Sequence, residues 1–122
     1  MTNEPVILYV EDDPQSRKLM NMLLKGRMKL PHVTILEDSQ DFLANVEALD
    51  PKPNIILLDI HMKPFNGFEM LTMLRDLPWT RETPIVALTA SVMNEEVMQL
   101  RNAGFDSFLS KPVDAAAFPN DL

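Results

Sequence analysis

Val6-Ile7-Leu8-Tyr9-Val10-Glu11-Asp12-Asp13-Pro14 is an unbroken apolar run that stops at three acids and a proline. A short run with no polar alternation reads as a strand buried on both faces, the habit of parallel sheets. Beyond it, Asp13 is placed to cap a helix with Pro14 at its first position, and Leu19, Met20, Leu23 and Leu24 form one apolar face ending near Gly26. The pattern recurs downstream. Ile55-Ile56-Leu57-Leu58 ends at Asp59, Ile85-Val86-Ala87-Leu88 ends at Thr89, and Phe108-Leu109, in a strand expected over Phe105 to Ser110, is followed by Lys111. Ligands of open parallel sheets bind outside the carboxyl ends of the strands. Glu11, Asp12, Asp59, Thr89 and Lys111 are therefore the candidate site.

The stretches between these runs read as helices and turns. Val33 to Leu36 is a further strand, followed by Asp38 or Ser39 as a cap and by Phe42, Leu43, Val46 and Leu49 as a helical stripe. Asp50-Pro51-Lys52-Pro53-Asn54 breaks the chain. Asn66 and Glu69 have capping-box spacing ahead of a helix carrying Met70, Leu71, Met73 and Leu74 to about Leu77, and a loop covers Pro78 to Pro84. Asn94 is expected to cap a helix with Glu95 and Glu96 in its first turn, Arg101 in its last and Gly104 as its left-handed stop. Strands alternating with helices imply an α/β three-layer sandwich with right-handed crossovers. The expected sheet has five parallel strands in the flavodoxin-like order 2-1-3-4-5, which sets the first and third strands side by side.

Composition narrows the function classes. A chain of 122 residues fits a single domain, 1–122. The absence of cysteine excludes a disulfide framework and a thiolate metal site. With no apolar stretch of the roughly 20 residues that span a bilayer, a soluble, cytoplasmic protein without membrane contact is expected. A formal charge of −7 argues against direct binding of nucleic acid. Nine methionines fall mostly at helical spacing among leucines, as in Leu19-Met20-Asn21-Met22-Leu23-Leu24, where filling of core gaps is the expected role.

Glu11, Asp12 and Asp59 would meet at one sheet edge. Unit charges about 4 Å apart interact by roughly 4 kcal/mol at an effective dielectric near 20, so a cation must offset their repulsion or a proton must be taken up. Hard oxygen donors with no cysteine and no paired histidine favour magnesium. A carboxylate beside such an ion can accept a phosphoryl group, with the Lys111 ammonium and the Thr89 hydroxyl on the transferred oxygens.

Val10-Glu11-Asp12-Asp13-Pro14, Leu58-Asp59-Ile60-His61-Met62 through Gly67, Ala87-Leu88-Thr89-Ala90 and Ser110-Lys111-Pro112 together resemble the receiver domain of two-component response regulators, with a chemotaxis-regulator-like fold, from Val6 to Val113. The resemblance implies that Asp59 is the phosphoacceptor in a magnesium-dependent phosphorelay. It also implies that Asp12 ligates magnesium directly, that Glu11 acts largely through water, and that the backbone carbonyl of His61 is a further ligand. Thr89 and Lys111 would contact the phosphoryl oxygens, and Thr89 with Phe108 would form the switch. Implied partners are a sensor histidine kinase or phosphotransfer protein, and a downstream effector on the face of the fourth helix and fifth strand. Such a domain is no enzyme in the ordinary sense, catalysing only its own phosphorylation and dephosphorylation.

Two positions depart from that family. Lys63 stands where receivers commonly have proline, with Pro64 following, and Phe118-Pro119-Asn120-Asp121-Leu122 offers only the first turn of a fifth helix, so the chain is expected to be truncated there. Two other classes stay open on the residues alone. A magnesium-dependent phosphatase with an aspartyl nucleophile would carry a second Asp where His61 stands. A degenerate receiver serving as a scaffold would not need all five site positions.

Overall fold

Alternate residues of each strand enter two separate apolar clusters, and this alternation builds the layers. The computed structural model describes residues 5–90 and 93–111. The five strands are β1 (Val6–Val10), β2 (His32–Leu36), β3 (Ile55–Asp59), β4 (Ile85–Thr89) and β5 (Ser107–Ser110). They pair in parallel in the order β2-β1-β3-β4-β5, as the sequence predicts. Leu8, Val10, Ile56, Leu58, Ile85 and Ala87 face one side and pack with Phe42, Val46, Met70, Leu71, Leu74 and Leu100. Ile7, Tyr9, Leu57, Val86 and Leu88 face the other and pack with Met20, Leu23 and Leu24. The helices supplying these residues are α1 (Pro14–Asn21), prolonged by a wider π-type turn over Met22–Arg27, and then α2 (Phe42–Glu47), α3 (Gly67–Arg75) and α4 (Asn94–Ala103).

Most helix signals act as expected. Asp13 is the N-cap of α1, its carboxylate accepting the Ser16 amide at 3.0 Å, with Pro14 at the first turn. Asn66 and Glu69 form a reciprocal capping box at α3, and Gly104 ends α4 at φ 110°. A short 3-10 turn, Pro78–Thr80, occupies part of the expected loop.

Other boundaries differ. Neither Asp38 nor Ser39 caps α2, which begins at Phe42 behind Asp41, a residue at φ 53° whose side chain makes no capping bond. The Ser39 hydroxyl is engaged elsewhere: it donates to the Phe65 carbonyl and accepts from the Phe65 amide, both at 2.7 Å. Asn94 is the first residue inside α4, and Met93 holds the capping position without a side-chain bond. β5 starts at Ser107, and the Phe105 amide before it still closes the end of α4, donating to the Leu100 carbonyl at 3.2 Å. Met20 and Met70 fill the interior as expected, but Met22, Met93 and Met98 are exposed. The proposed switch residue Phe108 is half-buried beside Ala87, its partner across the β4–β5 ladder. The expected turn over 118–122 lies outside the described residues.

Candidate functional site

Register delivers the site residues to one sheet edge. Val10 pairs with Leu58, so the chain leaving β1 through Glu11 and Asp12 runs level with Asp59 at the end of β3. Asp59 pairs with Leu88 and Thr89 with Ser110, which sets Thr89 and then Lys111 one step further along successive strands. The Lys111 amide extends this ladder, donating to the Thr89 carbonyl at 2.8 Å.

Glu11, Asp12 and Asp59 each contribute a carboxylate oxygen, and the three oxygens lie within 4.8 Å of one another. Glu11, Asp59 and Thr89 are buried, whereas Asp12 is exposed. An oxygen-only set of this kind, open to solvent at Asp12, suits a hard divalent cation that keeps part of its water shell. The expected charge conflict is met partly by the chain itself. Lys111 Nζ lies 2.8 Å from Glu11 Oε1 and 3.3 Å from Asp59 Oδ2. Sequence alone assigns this ammonium to an incoming phosphoryl group, and the structure adds an internal role as counter-ion.

Ionisation follows from these contacts. Burial, then the neighbouring Asp59 carboxylate, push Glu11 above the usual carboxylate range, while Lys111 draws it partly back. Burial alone would depress Lys111, but bonding to Glu11 and attraction to Asp59 outweigh it and hold the ammonium above its ordinary value. Tyr9 donates its hydroxyl to Glu11 Oε1 at 3.0 Å, and burial with the adjacent carboxylate pushes the phenol far above its usual range, so it stays a donor at all physiological pH.

The loops around these side chains are tied down. The His61 amide donates to Asp59 Oδ1 at 3.2 Å. After β3 the chain turns so sharply that the Gly67 amide bonds the Ile60 carbonyl at 2.9 Å. A Cβ on Gly67 would stand 2.8 Å from the Ile60 Cα, so the first turn of α3 can lie against the segment leaving Asp59 only with glycine there. Buried Ser39 grips Phe65 in the same loop, and the Lys63–Pro64 peptide within it is cis. Asp12, His61, Met62, Lys63 and Asn66 line an open cleft of about 420 Å³ beside the acidic cluster. On the α1 side, Arg17 Nη1 donates to the carbonyls of Glu11 at 3.1 Å and Asp12 at 2.8 Å.

All five predicted positions thus belong to one edge, and sequence reasoning missed four supports. Tyr9 lay hidden in an apolar run, Ser39 had the form of a helix cap, and Gly67 was only one element of a motif. Arg17, a half-buried arginine on α1, carried no signal at all.

The profile of the response regulator receiver domain matches residues 7–122. The chain is 33% identical over 108 residues to an uncharacterized 14.6 kDa protein of Leptolyngbya boryana, covering 88% of this chain and 79% of that one. It is 30% identical over 117 residues to the signal transduction histidine-protein kinase BarA of Shigella flexneri, covering 95% of this chain but only 12% of the kinase. Among solved structures, chemotaxis response regulator CheY4 of Vibrio cholerae superposes with a TM-score of 0.85 at 22% identity, covering 98% and 96% of the two chains. The receiver domain of sensor histidine kinase PA1611 from Pseudomonas aeruginosa, with magnesium coordinated in its active-site cleft, gives 0.82 at 25% identity, covering 96% and 93%. With its parallel sheet and the acidic edge it carries, the chain belongs to the response regulator receiver domains of two-component signalling.

Proposed function

We propose that the chain, as a single receiver domain, accepts a phosphoryl group on Asp59 from the phosphohistidine of a sensor kinase or phosphotransfer protein. The observation that carries this is the convergence of Asp59 with two further carboxylates within 4.8 Å and with Lys111 at 3.3 Å. An Asp59 oxygen attacks phosphorus, the phosphorus–nitrogen bond breaks, and the departing imidazole leaves with a proton taken from solvent. Glu11, Asp12, Asp59 and the His61 carbonyl would hold magnesium, which supplies charge neutralisation to the transferred oxygens. The oxygen-only cluster supports that assignment, as does the magnesium bound by the PA1611 receiver.

Lys111, already in place beside Asp59, then exchanges its bond to that carboxylate for one to a phosphoryl oxygen. Thr89, buried at the end of β4, donates its hydroxyl to the same group. Phosphorylation replaces the single negative charge of the Asp59 carboxylate with about −1.5 to −2 on the phosphoryl group and brings several acceptor oxygens, which draw Thr89 inward and give Phe108 room to turn. The face of α4 and β5 changes shape and serves as the effector surface. Met93 and Met98 stand exposed on it, 70% and 61%, as adaptable contact residues.

Phosphorus NMR of the chain with acetyl phosphate and magnesium tests this against its alternatives. A receiver shows a transient acyl-phosphate signal that is absent from Asp59→Asn. Steady conversion of donor to phosphate without that signal would indicate a phosphatase, and an unchanged donor would indicate a scaffold.

A further inference from the structure

Asp12 is exposed, so packing does not hold the carboxylate that completes the acidic cluster. What orients it is the backbone. The peptide carrying the Glu11 carbonyl and the one carrying the Asp12 carbonyl meet at the Asp12 Cα, and together they set its φ and ψ. Both carbonyls accept from the same nitrogen, Arg17 Nη1, at 3.1 and 2.8 Å. Arg17 is itself anchored, because its amide donates to the Asp13 carbonyl at 3.0 Å in the first turn of α1, a helix that buries Met20 in the core.

The other arm of the guanidinium does not explain its place. Arg17 Nη2 lies 4.0 Å from Glu37 Oε1, on a side chain 78% exposed, and such surface pairs contribute little. Simple electrostatics gives no reason for it either, since a fixed positive charge bonded to the backbone of two cation-binding residues repels the cation. We infer that Arg17 is a positioning residue for the metal site, its guanidinium locking the two peptide planes on either side of Asp12 so that this carboxylate points toward Glu11 and Asp59. The inference rests on the assignment of Glu11, Asp12 and Asp59 as the magnesium site.

The two effects of Arg17 on magnesium have opposite signs, which makes the test decisive. Calorimetric titration of the whole chain with magnesium, without any phosphodonor, compares wild type, Arg17→Met, Arg17→Lys and Asp12→Asn. Removing the charge alone would tighten binding. Loss of positioning weakens it, and groups that orient metal ligands typically cost about 10-fold in affinity or more. Arg17→Met should therefore raise Kd by about 10-fold despite its lost charge. Arg17→Lys should also bind more weakly than wild type, because an ammonium on a flexible stem does not reproduce the planar grip. Amide hydrogen exchange of the metal-free protein should be faster at Asp12 and Asp13 in both variants. Should Arg17→Met fail to fold, Arg17→Lys carries the comparison. Wild-type or tighter magnesium binding in the Arg17 variants, with Asp12→Asn impaired, would overturn the inference while leaving the metal site intact. A lower melting temperature with unchanged Kd would overturn it equally, by reducing Arg17 to a prop of the fold. Wild-type binding by Asp12→Asn would remove the site on which the inference depends.

Discussion

At the scale of single residues, the raised Glu11 and Lys111 both contribute to how stability varies with pH. Glu11 is raised above its ordinary value in the folded protein, first by burial and then by Asp59, so the folded state binds more protons than the unfolded chain between the ordinary and raised values. Stability contributed here is greatest below that window and falls as pH rises through it. Lys111 is raised too, so its contribution is present below its unfolded value and is lost only as pH rises through the raised one. Lys111→Met removes the group that draws Glu11 down. Thermal melts without divalent cation should then show a wider drop in melting temperature between about pH 5 and about pH 8 than in wild type. Equal drops would mean that Lys111 does not neutralise the pair.

At the scale of elements, the loop between β3 and α3 carries the most structural constraint around Asp59. Gly67→Ala would force a methyl carbon to within 2.8 Å of the Ile60 Cα, a backbone atom that cannot swing aside. Overpacking of this kind costs about 1–3 kcal/mol and should displace the segment that follows Asp59. Ser39→Ala strips both partners from the Phe65 peptide groups, with an expected loss of about 1–3 kcal/mol by urea denaturation. A loss near zero in either variant would show that the loop is held from elsewhere. These elements also mark what sequence can reveal. Strands and their order were legible because apolar runs ending in polar residues carry both the period and the place of the site. Caps with a local partner, Asp13 and Asn66, were legible for the same reason. Ser39 and Arg17 were not, because their partners depend on how loops meet after the sheet forms. A serine near a helix start looks identical whether it bonds the next turn or a loop from another strand. The counter-ion role of Lys111 was equally hidden, since it depends on the register that carries β5 past Thr89.

At the scale of the molecule, cation binding and phosphorylation should act on the fold as linked equilibria. Magnesium at one hundred times its Kd stabilises a one-site protein by about 2.7 kcal/mol, and Asp12→Ala should lose most of that gain in thermal or urea unfolding. An unchanged magnesium response in Asp12→Ala would put the ion elsewhere. The switch should separate from the chemistry in Thr89→Ala, which should still accept phosphate while amide shifts around Phe108 shrink. A full swing between two states needs about 5.5 kcal/mol of differential interaction, a plausible sum for a phosphoryl group bonded to Thr89, Lys111 and the metal together. Wild-type shifts in Thr89→Ala would route the signal through Lys111 instead. The central claim, that Asp59 is the phosphoacceptor, is tested most directly by peptide mass spectrometry after incubation with acetyl phosphate and magnesium. It predicts one labile phosphoryl group on the peptide containing Asp59, lost in Asp59→Asn and on omission of divalent cation. A phosphoryl group on any other residue, or one that persists at wild-type level in Asp59→Asn, would contradict it.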